Sequence, residues 1–569
     1  MKRKIPLKRI GVISFVLLFS AGSLIFLGSS SDDFKLVKSL EIYYSLFREL
    51  NLFYVDKTNP ETLVKNSING MLKELDPYTT YIPESDQENF NFMTTGQYGG
   101  IGSLIRRTGE YAIIAEPYEN FPAARGGLRA GDTIVAIDGE SMKNVEISQI
   151  SEKLKGTPNT PVTLKIRRYG NPNPFDVSLV REKITISNVP YYGMLNKHIG
   201  YIRLSNFTTG AAQETKDALL DLKKNPSLDA VVLDLRGNPG GLLIEAVDVA
   251  NIFVPQGREI VSTKGRVKQW DQEYDTRFMP VDTSIFLAVL VSHGSASASE
   301  IVAGSLQDLD RAVIIGQRTF GKGLVQTTRD LSYNAKLKVT TAKYYIPSGR
   351  CIQALDYSHR NPDGSVGHIP DSLISEYLTL HGRKVYDGGG IVPDFKTTPE
   401  TLSQISVALI TQNLIFDYAT VYAATHDSIP PVDQFKLSDR EYADFKSMVS
   451  SDKFTYETRS EESLTKLIET AKEEKYYKLA ENEFNALEHK LAHNNAKDLS
   501  NFAPEIRQLI KEEIAVRYYY QKGRVRAAIE NDPEVLEAKK VLVQPELYLS
   551  TLNLTPETVH ARTESAEMQ

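Results

Sequence analysis

The chain has 569 residues, room for three or four domains at about 150 residues each, with 66 Lys and Arg against 72 Asp and Glu and a net charge of −6. That balance leaves no basic surplus for nucleic acid. The one cysteine, Cys351, excludes an intrachain disulfide and any multi-cysteine zinc site, and the nine histidines form no metal-ligating cluster. No metal and no cofactor is expected.

At the N-terminus Lys2, Arg3, Lys4, Lys8 and Arg9 precede an uncharged, mostly apolar run from Ile10 to Leu27. The run exceeds the apolar core of about 7–15 residues usual in a signal peptide and reaches the spanning range of about 17–25. The expectation is an uncleaved single-pass inner-membrane anchor in preference to a signal peptide. Residues 1–9 would stay in the cytoplasm and the body of the chain would lie outside it, in the periplasm.

Residues 33–86 read as helical, on the apolar spacing of Leu36, Leu40, Tyr43, Tyr44 and Phe47 and again of Leu63, Ile68, Met71 and Leu72. Asp76-Pro77-Tyr78 ends the pattern. The next block, 87–185, alternates short β-rich runs with turns. Tyr98-Gly99-Gly100-Ile101-Gly102 reads as a glycine-rich loop before a strand at Ser103-Leu104-Ile105. A short helix from Pro122 to Leu128, a strand and tight turn from Gly131 to Gly139, a helix from Ile147 to Leu154 and a strand from Val162 to Ile166 follow. This order resembles a PDZ domain. Free amides in a glycine loop can cradle a terminal carboxylate while the ligand adds a strand to the sheet edge. Tyr98, Gly99, Gly100, Ile101 and Gly102 are therefore the candidate peptide-binding residues. The plainer reading is a small β-domain whose glycines serve turns.

From 190 to 395 strands and helices alternate: Ile199 to Leu204, Ala211 to Lys224, Ala230 to Arg236, then a helix opened by Gly240-Gly241-Leu242. This pattern argues an α/β layer with active groups at strand ends. A buried-looking strand, Ser284 to Ser292, leads to Ser297 at the mouth of a further helix. Lys322 follows a second strand, Ala312 to Gly316, and stands between Gly321 and Gly323. A serine becomes a nucleophile when a neighbouring base takes its proton, and a desolvated neutral lysine can be that base. Ser297-x-x-Glu300 is equally a helix capping box. Gly316 to Lys322 also spells a phosphate-binding loop, but Gly323 stands where the magnesium-binding hydroxyl belongs, and β-formers follow instead of a helix. Residues 400–569 are mostly helical, with solvated charge runs such as Lys472-Glu473-Glu474-Lys475, and their role is open.

Several of these pieces together resemble the carboxyl-terminal processing (tail-specific) serine proteases: Met71 to Tyr78, the PDZ block, Asp234 to Gly241, Ser295 to Glu300, and Thr319 to Gly323. Tyr345 to Arg350 and Gly389 to Asp394 extend the match, which covers about residues 35–395. The resemblance implies a crotonase-like (ClpP/crotonase) α/β core with an inserted PDZ domain, to which the residue pattern adds a helical N-terminal region and, outside the match, a helical C-terminal domain. It implies Ser297 as nucleophile, Lys322 as general base (322 − 297 = 25 residues on, as the family motif requires) and Gln326 as the third member. If the segment is a strand, 322, 324 and 326 share one face, and the Gln326 amide oxygen can orient the lysine. The oxyanion donors would be the amides of Ala298 and Gly240, with Gly241 an alternative to Gly240. The expected partners are protein or peptide substrates with free C-termini. An adaptor or activator protein and a homo-oligomer are compatible with the reading. The competing functions are a catalytically inactive PDZ scaffold and a crotonase-type acyl-CoA enzyme.

Overall fold

The computed structural model describes residues 31–555, except 362, 400, 452, 453 and 493. The run 10–27 lies outside the described residues. Among the described residues no helix is long and apolar enough to cross a membrane. The two longest, of 23 and 26 residues, are studded with charge, which a bilayer core does not accept. The expected single-pass inner-membrane localisation is corrected on that finding.

The chain falls into two compact units divided at residue 81. In the first, α1 (Ser31–Phe53) and α2 (Pro60–Lys73) carry the helical pattern. Pro60 and the Asn59 side chain, which accepts from the Thr62 amide at 3.1 Å, start α2. Asp76 Oδ1 then accepts from the amides of Tyr78 and Thr79, both at 2.8 Å, and closes the turn.

The second unit opens on a helix where short β-runs were expected, α3 (Gln87–Thr95), which Gly96 stops at φ +67°. The PDZ block follows: β1 (Gln97–Gly100), β2 (Ser103–Thr108), β3 (Tyr111–Pro117), α4 (Pro122–Arg125), β4 (Thr133–Ile137), α5 (Ile147–Leu154), β5 (Pro161–Arg167), β6 (Phe175–Val180) and β7 (Glu182–Thr185). The antiparallel sheet runs β2-β3-β4-β5-β6, so β2 is an edge strand. Tyr98 to Gly100 are not a free loop. They belong to β1, paired with β7 in the register Tyr98 to Ile184 and Gly100 to Glu182.

The central sheet is built from β8 (Tyr191–Met194), β9 (Ile199–Arg203), β10 (Ala230–Asp234), β12 (Phe286–Val291), β13 (Val313–Gly316) and β16 (Phe395–Lys396), in that order. Between them lie α6 (Ala211–Leu222), α7 (Leu243–Asn251), β11 (Glu259–Gly265), α8 (Ala298–Asp308), β14 (Leu324–Asp330) and β15 (Lys336–Tyr345). β8 is antiparallel to β9, and the other neighbours are parallel. A parallel sheet buried on both faces reads as a continuous apolar run, and Phe286–Val291 is one. Leu287, Val289 and Val291 face α6, α7 and α8. Ala288 and Leu290 face the other way, onto Val535, Ala538, Val541 and Tyr548 from the end of the chain.

Those last residues come from the helical region: α9 (Gln404–Thr411), α10 (Leu414–Thr425), α11 (Asp439–Ser451), α12 (Arg459–Glu473), α13 (Glu481–Leu491), α14 (Asn495–Asn501), α15 (Ala503–Ala528), α16 (Pro533–Leu542) and α17 (Pro545–Thr551). α9, α10, α11 and the start of α15 share a core of their own. α16 and α17 instead form the second layer on the central sheet, where the Tyr548 hydroxyl accepts from the Leu287 amide at 3.1 Å. Tyr548 thereby satisfies a sheet amide in a region closed to water.

Candidate active site

Ser297 follows β12 through a tight turn and stands at the N-cap of α8 with φ +56° and ψ −113°. For a residue with a Cβ this backbone costs about 1–3 kcal/mol and persists only where its surroundings hold it. They do so by hydrogen bonds on both sides. Ser295 Oγ donates to the Leu235 carbonyl at 2.9 Å, and the Ala296 amide donates to the Asn238 carbonyl at 3.1 Å. Ser299 Oγ donates to the same Asn238 carbonyl at 2.9 Å. The turn is thus sewn to the loop after β10. That loop comes close because Gly240, at φ +98°, has no side chain: a Cβ there would lie 2.8 Å from Ser297 Cβ and 2.9 Å from the Ala298 nitrogen.

The carboxylate of Glu300 is fully buried and gathers four donors. Oε1 accepts from Thr319 Oγ1 at 2.6 Å and the Gly321 amide at 2.7 Å. Oε2 accepts from the amides of Ser297 and Lys322, each at 2.9 Å. Burial pushes the carboxyl up to about 7 against the pull of these four hydrogen bonds. Tyr344, buried in β15, adds a second link: its hydroxyl meets the Lys322 carbonyl and the Ser297 carbonyl, the latter at 3.2 Å. The backbones of Ser297 and Lys322 are held to one another from both polar sides.

Thr319 anchors the lysine loop further, because its hydroxyl accepts from the Ile391 amide at 2.7 Å. At the far end of α8, Arg350 Nη2 donates to Asp308 Oδ1 at 2.8 Å and Gln307 Oε1 at 2.9 Å in full burial. The stretches Tyr345 to Arg350 and Gly389 to Asp394 therefore brace the helix that carries Ser297.

Gln326 lies in β14, and its Nε2 donates to the Leu324 carbonyl and to Thr340 Oγ1, both at 3.2 Å. This orientation leaves Oε1 as the acceptor. Of the expected face of 322, 324 and 326, Leu324 and Gln326 lie in the strand and Lys322 stands two residues before its start. β14 begins at Leu324, and the register shift between Val325 and Gln326 places the extra residue, Thr341, on β15.

The Ala298 amide is the first of α8 and has no intrahelical acceptor. The Gly240 amide donates to Asn238 Oδ1 at 2.9 Å. A bridge to Phe207 uses the Gly240 carbonyl and the Leu242 amide and leaves the Gly241 amide out. In the PDZ block the Tyr98 ring folds over Gly100, whose missing Cβ would lie 2.8 Å from it. The ring meets Phe92 edge-on at 5.5 Å. A cleft of about 710 Å³, lined by Arg129, Arg168, Thr420, His426 and Tyr518 among others, includes none of these site residues.

The peptidase family S41 model matches residues 198–364, and a PDZ domain model matches 113–168. A third, described as the C-terminal helical domain of a probable PDZ-protease, matches 405–542. A carboxy-terminal-processing protease of Bartonella bacilliformis is 37% identical over 374 residues, 64% of this chain and 83% of that one. The chain belongs to peptidase family S41, as a carboxy-terminal-processing protease with a PDZ domain. A probable CtpA-like serine protease of Staphylococcus aureus is 34% identical over 382 residues, 66% of this chain and 74% of that one. Among solved structures, the photosystem II D1 C-terminal processing protease is 28% identical and covers 63% of this chain and 88% of its own, at a TM-score of 0.35. This S41 peptidase is a serine-type protease whose catalytic region is joined to a PDZ domain and a C-terminal helical domain.

Sequence reasoning did not assign Thr319 or Tyr344 a role, and it read Glu300 only as a helix cap. For Glu300 the signal was present, since Ser-x-x-Glu marks a carboxylate returning to the Ser297 amide. Nothing local pointed to its other three donors.

Proposed function

We propose that this S41 peptidase cleaves protein substrates by a Ser-Lys mechanism, with Ser297 as nucleophile and Lys322 as base. The neutral Lys322 amine takes the proton from Ser297 Oγ as the oxygen attacks the scissile carbonyl. The oxyanion is held by the Ala298 amide at the positive end of α8, together with the amide of Gly240 or Gly241. If Gly240 serves, its amide first leaves Asn238. The Lys322 ammonium then protonates the departing amine, leaving an acyl-enzyme on Ser297. Water, deprotonated by Lys322, releases the new carboxyl terminus and restores the serine. Gln326 Oε1 orients the lysine by accepting from its amine.

The observation that carries this reading is the Glu300 carboxylate, which takes the amides of Ser297 and Lys322 on one oxygen. A structural cap needs the first of these bonds and not the second. We read the PDZ domain as the collector of free C-termini, with the ligand added along β2 and its carboxylate at the end of the segment Tyr98 to Gly102. The run of parallel strands β9, β10, β12 and β13 with their helices supports a crotonase-like core. The test is acyl-enzyme trapping. Wild type quenched in acid during turnover of a peptide substrate should carry the acyl fragment on the tryptic peptide containing Ser297, and Ser297→Ala should neither acylate nor cleave. Acylation elsewhere would overturn the assignment.

A further inference from the structure

The loop between β10 and Gly241 carries a guanidinium, Arg236, that the catalytic region does not neutralise by itself. Arg236 pairs with Asp234 through Nη2 at 2.7 Å, but Arg203 Nη1 claims the same Asp234 oxygen at 2.7 Å. Arg203 also donates to the Arg236 carbonyl at 2.8 Å. Two cations thus converge on one fully buried carboxylate. The missing negative charge comes from the other end of the chain. Arg236 Nη1 meets Asp532 at 2.8 and 2.7 Å and Glu534 Oε2 at 3.0 Å. Glu534 Oε1 accepts from Gln317 Nε2 at 2.5 Å and from Thr397 Oγ1 at 2.9 Å. Gln317 begins the loop that runs from β13 to Lys322, and its amide donates to the Val291 carbonyl at 3.1 Å. The two acidic residues at the start of α16 therefore grip both loops of the site: one side holds the stretch carrying Asn238, Gly240 and Gly241, the other the approach to Lys322.

We propose that Asp532 and Glu534 are positioning residues for the peptidase reaction, by which the C-terminal helices complete the active site. The proposal rests on the Ser-Lys reading above. Without the two charges Arg236 is a buried cation short of a partner, a state that proteins relieve by moving the group. Only Gly237, Asn238 and Pro239 separate its backbone from Gly240, so such movement reaches the oxyanion loop. The simpler account makes Asp532 the N-cap of α16, since it accepts from the Val535 amide at 3.0 Å, and Glu534 an incidental ion pair.

Replacing Asp532 by Asn and Glu534 by Gln separates the two accounts, because asparagine caps a helix as well as aspartate does while the charges are lost. In the full chain, Asp532→Asn/Glu534→Gln should lower kcat roughly 10- to 100-fold, the scale of a small displacement of catalytic groups. KM should stay within about twofold. A peptide boronic acid, whose tetrahedral adduct on Ser297 needs the oxyanion loop, should lose affinity by a similar factor. Thermal midpoints are recorded alongside and kinetics run well below them. Should the double variant not fold, Glu534→Gln alone is expected to show the same kcat-selective loss to a smaller degree. Unchanged kcat and boronate affinity in a folded variant overturns the proposal. Lys322→Arg in the same assay tells the two readings apart: its turnover would remove the Ser-Lys assignment, whereas a failure of the positioning idea leaves it inactive.

Discussion

The amides of Ser297 and Lys322 donate to one and the same oxygen, Glu300 Oε2, each at 2.9 Å. The other oxygen binds Thr319 and Gly321, so a single buried carboxylate sets the spacing of two loops. Four donors on this buried carboxylate make its geometry depend on the acceptor capacity of both oxygens.

Glu300→Gln keeps the shape but turns an amide nitrogen towards one pair of donors. We predict a kcat loss on the order of 10²-fold, measured on a peptide substrate with the folded fraction checked by circular dichroism. A variant with wild-type kcat would show that the carboxylate is only a helix cap.

The same group gives stability a pH dependence. Burial raises the Glu300 carboxyl to about 7, above the value of about 4.3 in an unfolded chain. Between these values the native state binds more protons than the unfolded one, so this contribution to stability is lost as pH rises towards 7 and is flat beyond. Comparing urea midpoints of wild type and Glu300→Gln from pH 5 to 8, the wild type should decline relative to the variant up to about pH 7. Parallel curves would show that Glu300 does not titrate in this range.

Arg350 and Asp308 form an ion pair with both side chains essentially closed to water. Arg350→Ala leaves the Asp308 carboxylate buried without its cation, and we predict a destabilisation of about 3–5 kcal/mol by denaturant unfolding. A loss under about 1 kcal/mol, the usual worth of an exposed pair, would mean that the loop opens to solvent without it.

Ser297 and Lys322 could be singled out in the sequence because each stands at a strand end in a short glycine- and serine-rich setting, and because the family motif fixes their separation. The layered core was equally legible in the unbroken apolar run of Phe286–Val291. What covers its second face was not. α16 and α17 look like any amphipathic helices until the chain has folded back over the sheet, and the partners of Arg236 lie almost 300 residues away, at a separation of 296 for Asp532. Within the segment Tyr98 to Gly102, the part up to Gly100 was misread for a similar reason: glycines suggest a loop, yet β7 supplies a distant partner that makes Gln97–Gly100 a strand.

That partner narrows the amides left for a terminal carboxylate to the Ile101–Ser103 end. We predict that amidating a substrate's C-terminus weakens its binding and slows cleavage. Binding is read by fluorescence anisotropy with a labelled peptide acid and its amide, and cleavage by hydrolysis of the same pair. Equal affinity for acid and amide would remove the carboxylate-capture idea and leave the peptidase untouched.

The most direct test of the Ser-Lys assignment is peptide hydrolysis by Lys322→Arg beside Lys322→Ala and wild type, across pH 6 to 10. An arginine keeps the positive charge and the hydrogen-bond donors but cannot give up its proton in this range. If Lys322 is the base, the arginine variant is as inactive as the alanine variant at every pH, while wild-type activity climbs through one ionisation towards alkaline pH. Turnover by Lys322→Arg above the alanine background would contradict the assignment and place the base elsewhere.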